Sequence, residues 1–264
     1  MRKGIARGFG LVEIMIAIVL GLFLLVGLYT MLSSSQQSYA LGRANSNLGG
    51  SGQRVTQLIW NQLHQAGFIN YQRRLLNLPL PAAGVWAKNQ SVRGENDLAV
   101  GGVMANTDRI TLRFWGSSIG DNDPTQAADT TTDGRMFSCN GTPVANTQLV
   151  AISLFVNGNG ELICQDNIGP AIVMERNIES LQFRYRLSGP HDTFVTANTI
   201  AAADWPNVVA VEFSLLVAMP SGQGVQALAR NYQLLDKQIA AAADRNIRRV
   251  LNGSITIKNL SVDG

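Results

Sequence analysis

Histidine, cysteine and charge are all scarce in this chain. His64 and His191 are the only two histidines in 264 residues, and they stand far apart. That excludes a His-centred catalytic constellation, so each reads as an ordinary surface or packing residue. Cys139 and Cys164 are the only two cysteines; they lack CxxC spacing and have no histidine nearby, which argues against a metal site. G-x-S-x-G, H-E-x-x-H and P-loop patterns are absent. Gly158-Asn159-Gly160 is too short to mean more than a turn. No catalytic residue, metal or cofactor is assigned, and an exported enzyme on a membrane anchor is the weakest of the competing function classes.

Charged residues make up 15% of the chain against 46% hydrophobic. Much of the missing charge is missing from one place. Ile14 to Leu32 is about 19 residues without a charge, and the next one is Arg43. At 1.5 Å per residue this run spans ~28 Å, close to a bilayer's hydrocarbon thickness. The net charge is +3, and Arg2, Lys3 and Arg7 supply three positive charges before residue 8, so the remainder is formally neutral. The basic balance belongs to the leader. With no basic patch interleaved with aromatics elsewhere, direct nucleic-acid binding is not expected. The flanking cations keep the N-terminus cytoplasmic and send the rest across the membrane. In an exported chain the two cysteines read as a disulfide; it closes a loop of roughly 26 residues, worth ~3–4 kcal/mol by loop entropy. Two buried free thiols are the plainer alternative.

Glu13 sits at the mouth of the apolar run, where a carboxylate costs about 3 kcal/mol on insertion scales. A secretory signal peptide has some support from "SYA" at 38–40, with cleavage after Ala40 releasing a soluble periplasmic module. The run is longer than the usual h-region, however, and an acidic residue at its start is unexpected. A simple anchor helix leaves Glu13 unexplained as well. The order of basic leader, Gly8, Phe9, Gly10-Leu11-Val12-Glu13 and a long apolar run closely resembles the class III signal of type IV pilins and pseudopilins. Gly10 stands where Thr is commoner. The resemblance implies that a prepilin peptidase cuts after Gly8, that Phe9 becomes the N-methylated first residue, and that Glu13 is the fifth. It also implies a role in assembly: the Glu13 carboxylate pairs with a neighbouring subunit's new α-amino group and sets the register of packed helices.

After Leu32 the chain turns polar. Gly42, Gly49, Gly50 and Gly52 each weaken a helix by up to about 1 kcal/mol, so a flexible stretch near 49–52 is expected. Val55, Leu58, Ile59, Gln62, Leu63 and Ala66 then mark one face of an amphipathic helix, with Gly67 as its stop. The remainder reads mostly as strands: 109–115, a hairpin over 149–165 turning at Asn157–Gly160, 180–187, 208–219, and a last strand at 254–262. Residues 234–251 have helical composition, though the end of that stretch can already be strand. Asp121 and Asp123 have EF-hand spacing, but Gln126 and Thr132 stand where Gly and Glu are required, so 116–135 reads as a solvated loop rather than a calcium site. The expected fold is α+β, with a long N-terminal hydrophobic-then-amphipathic helix packed on a mainly antiparallel sheet. Its parts are a leader at 1–8, a transmembrane or filament-core helix at 9–32, its amphipathic continuation at 33–67, and a periplasmic β-rich domain at 68–264.

Scattered C-terminal blocks narrow the likeness. "SCNG" (138–141), "LFVNGNGELIC" (154–164), "ERNIESLQFRYRL" (175–187), "ADWPNVVAVEFSLLV" (203–217) and "RRVLNGSITIKNL" (248–260) resemble PilW-type minor pilins, with Lys258 where Arg is usual. The resemblance implies a structural function in priming type IV pilus assembly and in a complex at the fibre tip, supporting twitching motility and adhesion. Implied partners are other minor pilins, the major pilin, the inner-membrane assembly platform, the prepilin peptidase and a tip adhesin. The rival resemblance is to a J-type minor pseudopilin of type II secretion, which shares signal, fold and tip role but serves protein export.

Overall fold

The computed structural model describes residues 10–70, 80–98, 103–121, 130–189, 193–221, 227 and 229–257. Gly8, Phe9, His191, Asp123 and the end of the expected last strand lie outside the described residues. Helix α1 runs unbroken from Leu11 to His64, 54 residues, or ~80 Å. Its two halves obey different rules. From Leu11 to Leu32 the apolar side chains are exposed nearly all round. Further along, Ala44, Leu48, Val55, Ile59 and Leu63 are buried, spaced four or seven apart as one helix face requires. Gly67 adopts a left-handed φ of 75° just past the end, the expected stop.

The flexible stretch expected near 49–52 is not there. The helix passes straight through, and Ser51 and Gly52 are buried. A Cβ on Gly52 would come within 2.6 Å of Leu251 Cδ1. The glycine trades helix propensity for a close approach of helix to strand, and tertiary contact replaces what propensity removes.

Strands β1 (Val92–Glu95), β2 (Arg109–Trp115), β3 (Leu149–Val156), β4 (Glu161–Asp166) and β5 (Ile172–Arg176) form a five-stranded antiparallel sheet in that order. β6 (Ile178–Leu187) and β7 (Val208–Pro220) begin a second sheet, and β8 (Arg230–Leu234) with β9 (Lys237–Ala241) forms a hairpin. β10 (Asn246–Thr256) completes the second sheet in the order β10-β7-β6. The alternating strands stand where the pattern put them, and the 157–160 turn closes with Gly160 at φ 71°. The segment with helical composition is instead a β-hairpin followed by a strand. Leu235 at φ 47° makes the tight turn, and β10 pairs with β7 over its whole length. Ladder bonds and buried Leu234 and Ala241 outweigh the helix preference of an alanine run, as tertiary context commonly does.

A single residue, Asn177 at φ 64°, separates β5 from β6. One extended stretch therefore serves both sheets, bending where an asparagine tolerates the left-handed conformation. α1 lies over this join, packing on β10, β7 and β5, and Arg54 Nε meets Glu175 Oε2 at 3.0 Å. Between the layers sit Phe114, Phe183, Phe213 and Tyr185, all fully buried. Tyr185 packs edge-on against Trp205 with centroids 5.0 Å apart, and Gly94 lies against its hydroxyl end with no room for a Cβ. Gly94→Ala should therefore destabilise the fold by about 1–3 kcal/mol through overpacking, measured by urea denaturation; an unchanged midpoint would show that the ring can move aside.

Candidate assembly interface

α1 is long and apolar enough to cross a membrane by length and composition. Leu11 is 75% exposed and Met31 74%, so nothing among the described residues covers this half. Glu13 lies in the first turn, and its Oε2 accepts the Gly10 N–H at 3.3 Å. A carboxylate there faces the positive end of the helix macrodipole and an amide that has no intrahelical acceptor. Gly10 has no side chain to return a cap; Glu13 is exposed, and among the described residues its other oxygen accepts no hydrogen bond.

Cys139 and Cys164 are joined as a disulfide, with Cα atoms 5.6 Å apart. Cys164 comes from β4; Cys139 comes from the loop that follows residue 130. Both are buried, and the Cys139 N–H donates to Asp166 Oδ2 at 2.8 Å. The same loop reaches α1, where the Phe137 N–H donates to Gln65 Oε1 at 2.7 Å. The bridge thus ties the loop under the stalk's end to the five-stranded sheet. Asp121 is engaged by the protein: its Oδ2 accepts the Ser118 N–H at 2.8 Å and its Oδ1 accepts from Asn146 Nδ2 at 2.6 Å. Among the described residues no three His, Cys, Asp or Glu side chains converge as a metal site would need. His64 stacks on Trp60 with centroids 4.2 Å apart.

Three buried charged groups escaped the sequence reading. Asp108 precedes β2 and looks like a loop residue, yet it is 1% exposed and joins the two sheets. Its N–H donates to the Leu181 carbonyl at 2.8 Å, and its carboxylate accepts the Phe183 and Asp97 N–H groups at 2.8 and 3.0 Å. Burial pushes its pKa up to about 7, with the two N–H donors pulling the other way and Asp97 and Asp236 adding to the rise. Arg113 sits on the outer face of β2, where alternation suggests solvent. The 80–90 loop covers it instead, and its guanidinium donates to the Pro81, Ala87 and Gln90 carbonyls with Trp86 4.3 Å from its centre. Burial lowers its pKa to about 10. Arg248 bridges Glu179 and Asp244 at 2.6 Å each and holds the Asp244 carboxyl down at about 2. No local signal could have found Asp108 or Arg113, because each owes its burial to a distant segment; of the two carboxylates on Arg248, only Glu179 is distant in sequence.

An exposed apolar half-helix that continues as a stalk onto antiparallel sheets is the α+β arrangement expected from the sequence, and the globule holds the expected disulfide. Residues 153–259 match the model of the family described as PilW, Type IV Pilus-assembly protein W. Four of the five C-terminal blocks quoted above overlap that span; "SCNG" at 138–141 precedes it. Solved structures similar to the chain include a type IV-like pilin from Thermus thermophilus, at 13% identity and a TM-score of 0.44, covering 80% of this chain and 96% of that one. No curated protein matches.

Replacing both cysteines by alanine should cost ~3–4 kcal/mol on the loop-entropy estimate; a urea midpoint equal to that of the oxidised wild type would contradict it. Asp108 gives a pH dependence. Its carboxyl ionises near 3.8 when unfolded and near 7 when folded, so the native state holds the proton more tightly. The stability this group contributes is full below pH ~4 and declines as pH rises toward 7. Asp108→Asn should flatten that part of the stability–pH curve, and an unaltered slope would show that another group sets it.

Proposed function

We propose that this chain is a minor pilin, a structural and priming subunit of type IV pilus assembly. The observation that carries the reading is the bare apolar half of α1, Leu11 to Leu32, with the single carboxylate Glu13 at its entry. Such a surface is stable in hydrocarbon or against other helices of its kind. That suits a subunit that waits in the inner membrane and is then drawn into a fibre. The PilW match on the globule supports the same reading, as does a disulfide, which suits an exported domain.

In this account the prepilin peptidase cuts after Gly8 and Phe9 is N-methylated. The domain parts are those read from the sequence: leader 1–8, membrane helix 9–32, stalk 33–67 and periplasmic globule 68–264. The N-terminus stays cytoplasmic. In the fibre, Glu13 pairs with the Phe9 α-amino group of a neighbour; each charge alone is costly among apolar helices, and together they are tolerable. The partners are other minor pilins in a tip complex, the major pilin, the assembly platform and a tip adhesin, and the outputs are twitching motility and adhesion.

Mass spectrometry of the chain from membranes and sheared pili, with and without the peptidase, tests this. The expected mature protein begins at N-methyl-Phe9 and is absent without the peptidase; a start at Leu41 would refute the class III pathway. Glu13→Ala should insert in the membrane normally yet be depleted from sheared pili roughly tenfold or more, since a buried charge left alone costs several kcal/mol. Normal incorporation would remove Glu13 from the assembly role.

A further inference from the structure

The second sheet is open along one edge. The Ile257 N–H donates to the Val209 carbonyl at 2.8 Å, and the Ser221 N–H donates to the Arg245 carbonyl at 3.1 Å. Odd-numbered residues of β10 therefore bond inward to β7. By the alternation of an antiparallel ladder, the N–H and C=O groups of Arg248, Val250, Asn252, Ser254 and Thr256 point outward. The register with β7 runs from Asn246 to Thr256 without a bulge, so these groups form one straight row. Among the described residues no strand pairs with them.

The opposite edge of the same sheet is treated differently. Along β6, the Leu181 carbonyl and the Phe183 N–H are taken by Asp108, and Tyr185 exchanges both backbone bonds with Val195. Folded chains usually blunt long edges with bulges, prolines or cover; among the described residues β10 has none of these. Beside it runs a groove walled by Gly49, Gln53, Gln57 and half-exposed Trp60 of α1, with Arg249 and Leu251 on the strand side. Arg249 and Arg245 are exposed and make no ion pair among the described residues.

We propose that the β10 edge receives an extended segment of another pilus-assembly subunit, which joins the sheet as a further strand; the identity of the partner rests on the function proposed above. The incoming strand bonds to the outward row, sets alternate small or apolar side chains into the groove over Trp60 and Leu251, and places a carboxylate against Arg249. A second copy of this chain fits less well. It would bring its own Arg245 and Arg249 to the seam, and like charges do not complement each other.

The test is residue-level amide exchange on the full-length chain in detergent, alone and in complex with the co-expressed minor pilins. Alone, the amides of Arg248, Val250, Asn252, Ser254 and Thr256 should exchange fast while their odd-numbered neighbours are protected. In the complex the same amides should slow at least tenfold. Asn252→Pro, at an outward N–H that the fold does not use, and Arg249→Glu should each weaken the complex about tenfold. A complex that leaves these amides unprotected and tolerates both substitutions overturns the edge assignment alone. So does protection of the row in the isolated monomer, or self-association through it. Absence of any complex with a minor pilin overturns the partner and the pilus reading together.

Discussion

The burial of one face of α1 against the second sheet is the contact on which the rest depends. Val55, Ile59 and Leu63 are fully covered there, each worth about 1.5–3 kcal/mol relative to exposure. The face must end where the globule ends, because the same helix continues as an apolar rod with nothing of its own to cover it. A helix that serves two environments needs a firm grip in one of them, or the rod would be free to swing. Gly52 supplies part of that grip by letting Leu251 approach the helix backbone.

Beneath the helix, two devices hold the two sheets as one body, and a third, of different chemistry again, fixes a loop to one of them. Asn177 passes the chain from one sheet to the other within a single residue. Asp108 stitches β2 to β6 with backbone and side-chain bonds. The Cys139–Cys164 bridge ties the loop beneath the stalk's end to β4. The first is covalent and permanent, the second depends on protonation, and the third depends on an oxidising compartment. The polar groups that all this burial creates are met locally, as with the Arg113 guanidinium under its roof of carbonyls.

Seen as a subunit, the molecule is finished on some surfaces and unfinished on others. The β6 edge is closed by the chain itself, whereas among the described residues nothing closes the apolar half of α1 or the β10 edge. Glu13 marks the first of these open surfaces with a negative charge, and Arg249 marks the second with a positive one. An assembly component has reason to leave such surfaces open, since a partner completes them.

Periodicity and composition determined the helix, its division into an all-round apolar half and a one-sided half, the alternating strands and the 157–160 turn. Each of these is local: a few neighbouring side chains set the pattern and the backbone geometry follows. The N-terminal motif was legible for the same reason, being a linear string. Tertiary structure alone decided that residues 234–241 form a hairpin, that glycine at 52 is a contact and not a break, that Asp108 and Arg113 are buried, and that β10 has a bare edge. The hairpin pairs locally, β8 with β9, while β8 packs against the distant β7; in the other cases the deciding partner is itself far away in sequence: β7 for β10, Leu251 for the glycine, Phe183 for the aspartate and the 80–90 loop for the arginine. Local preferences amount to a few tenths of a kcal/mol per residue, and ladder bonds and burial that reach across the chain exceed them.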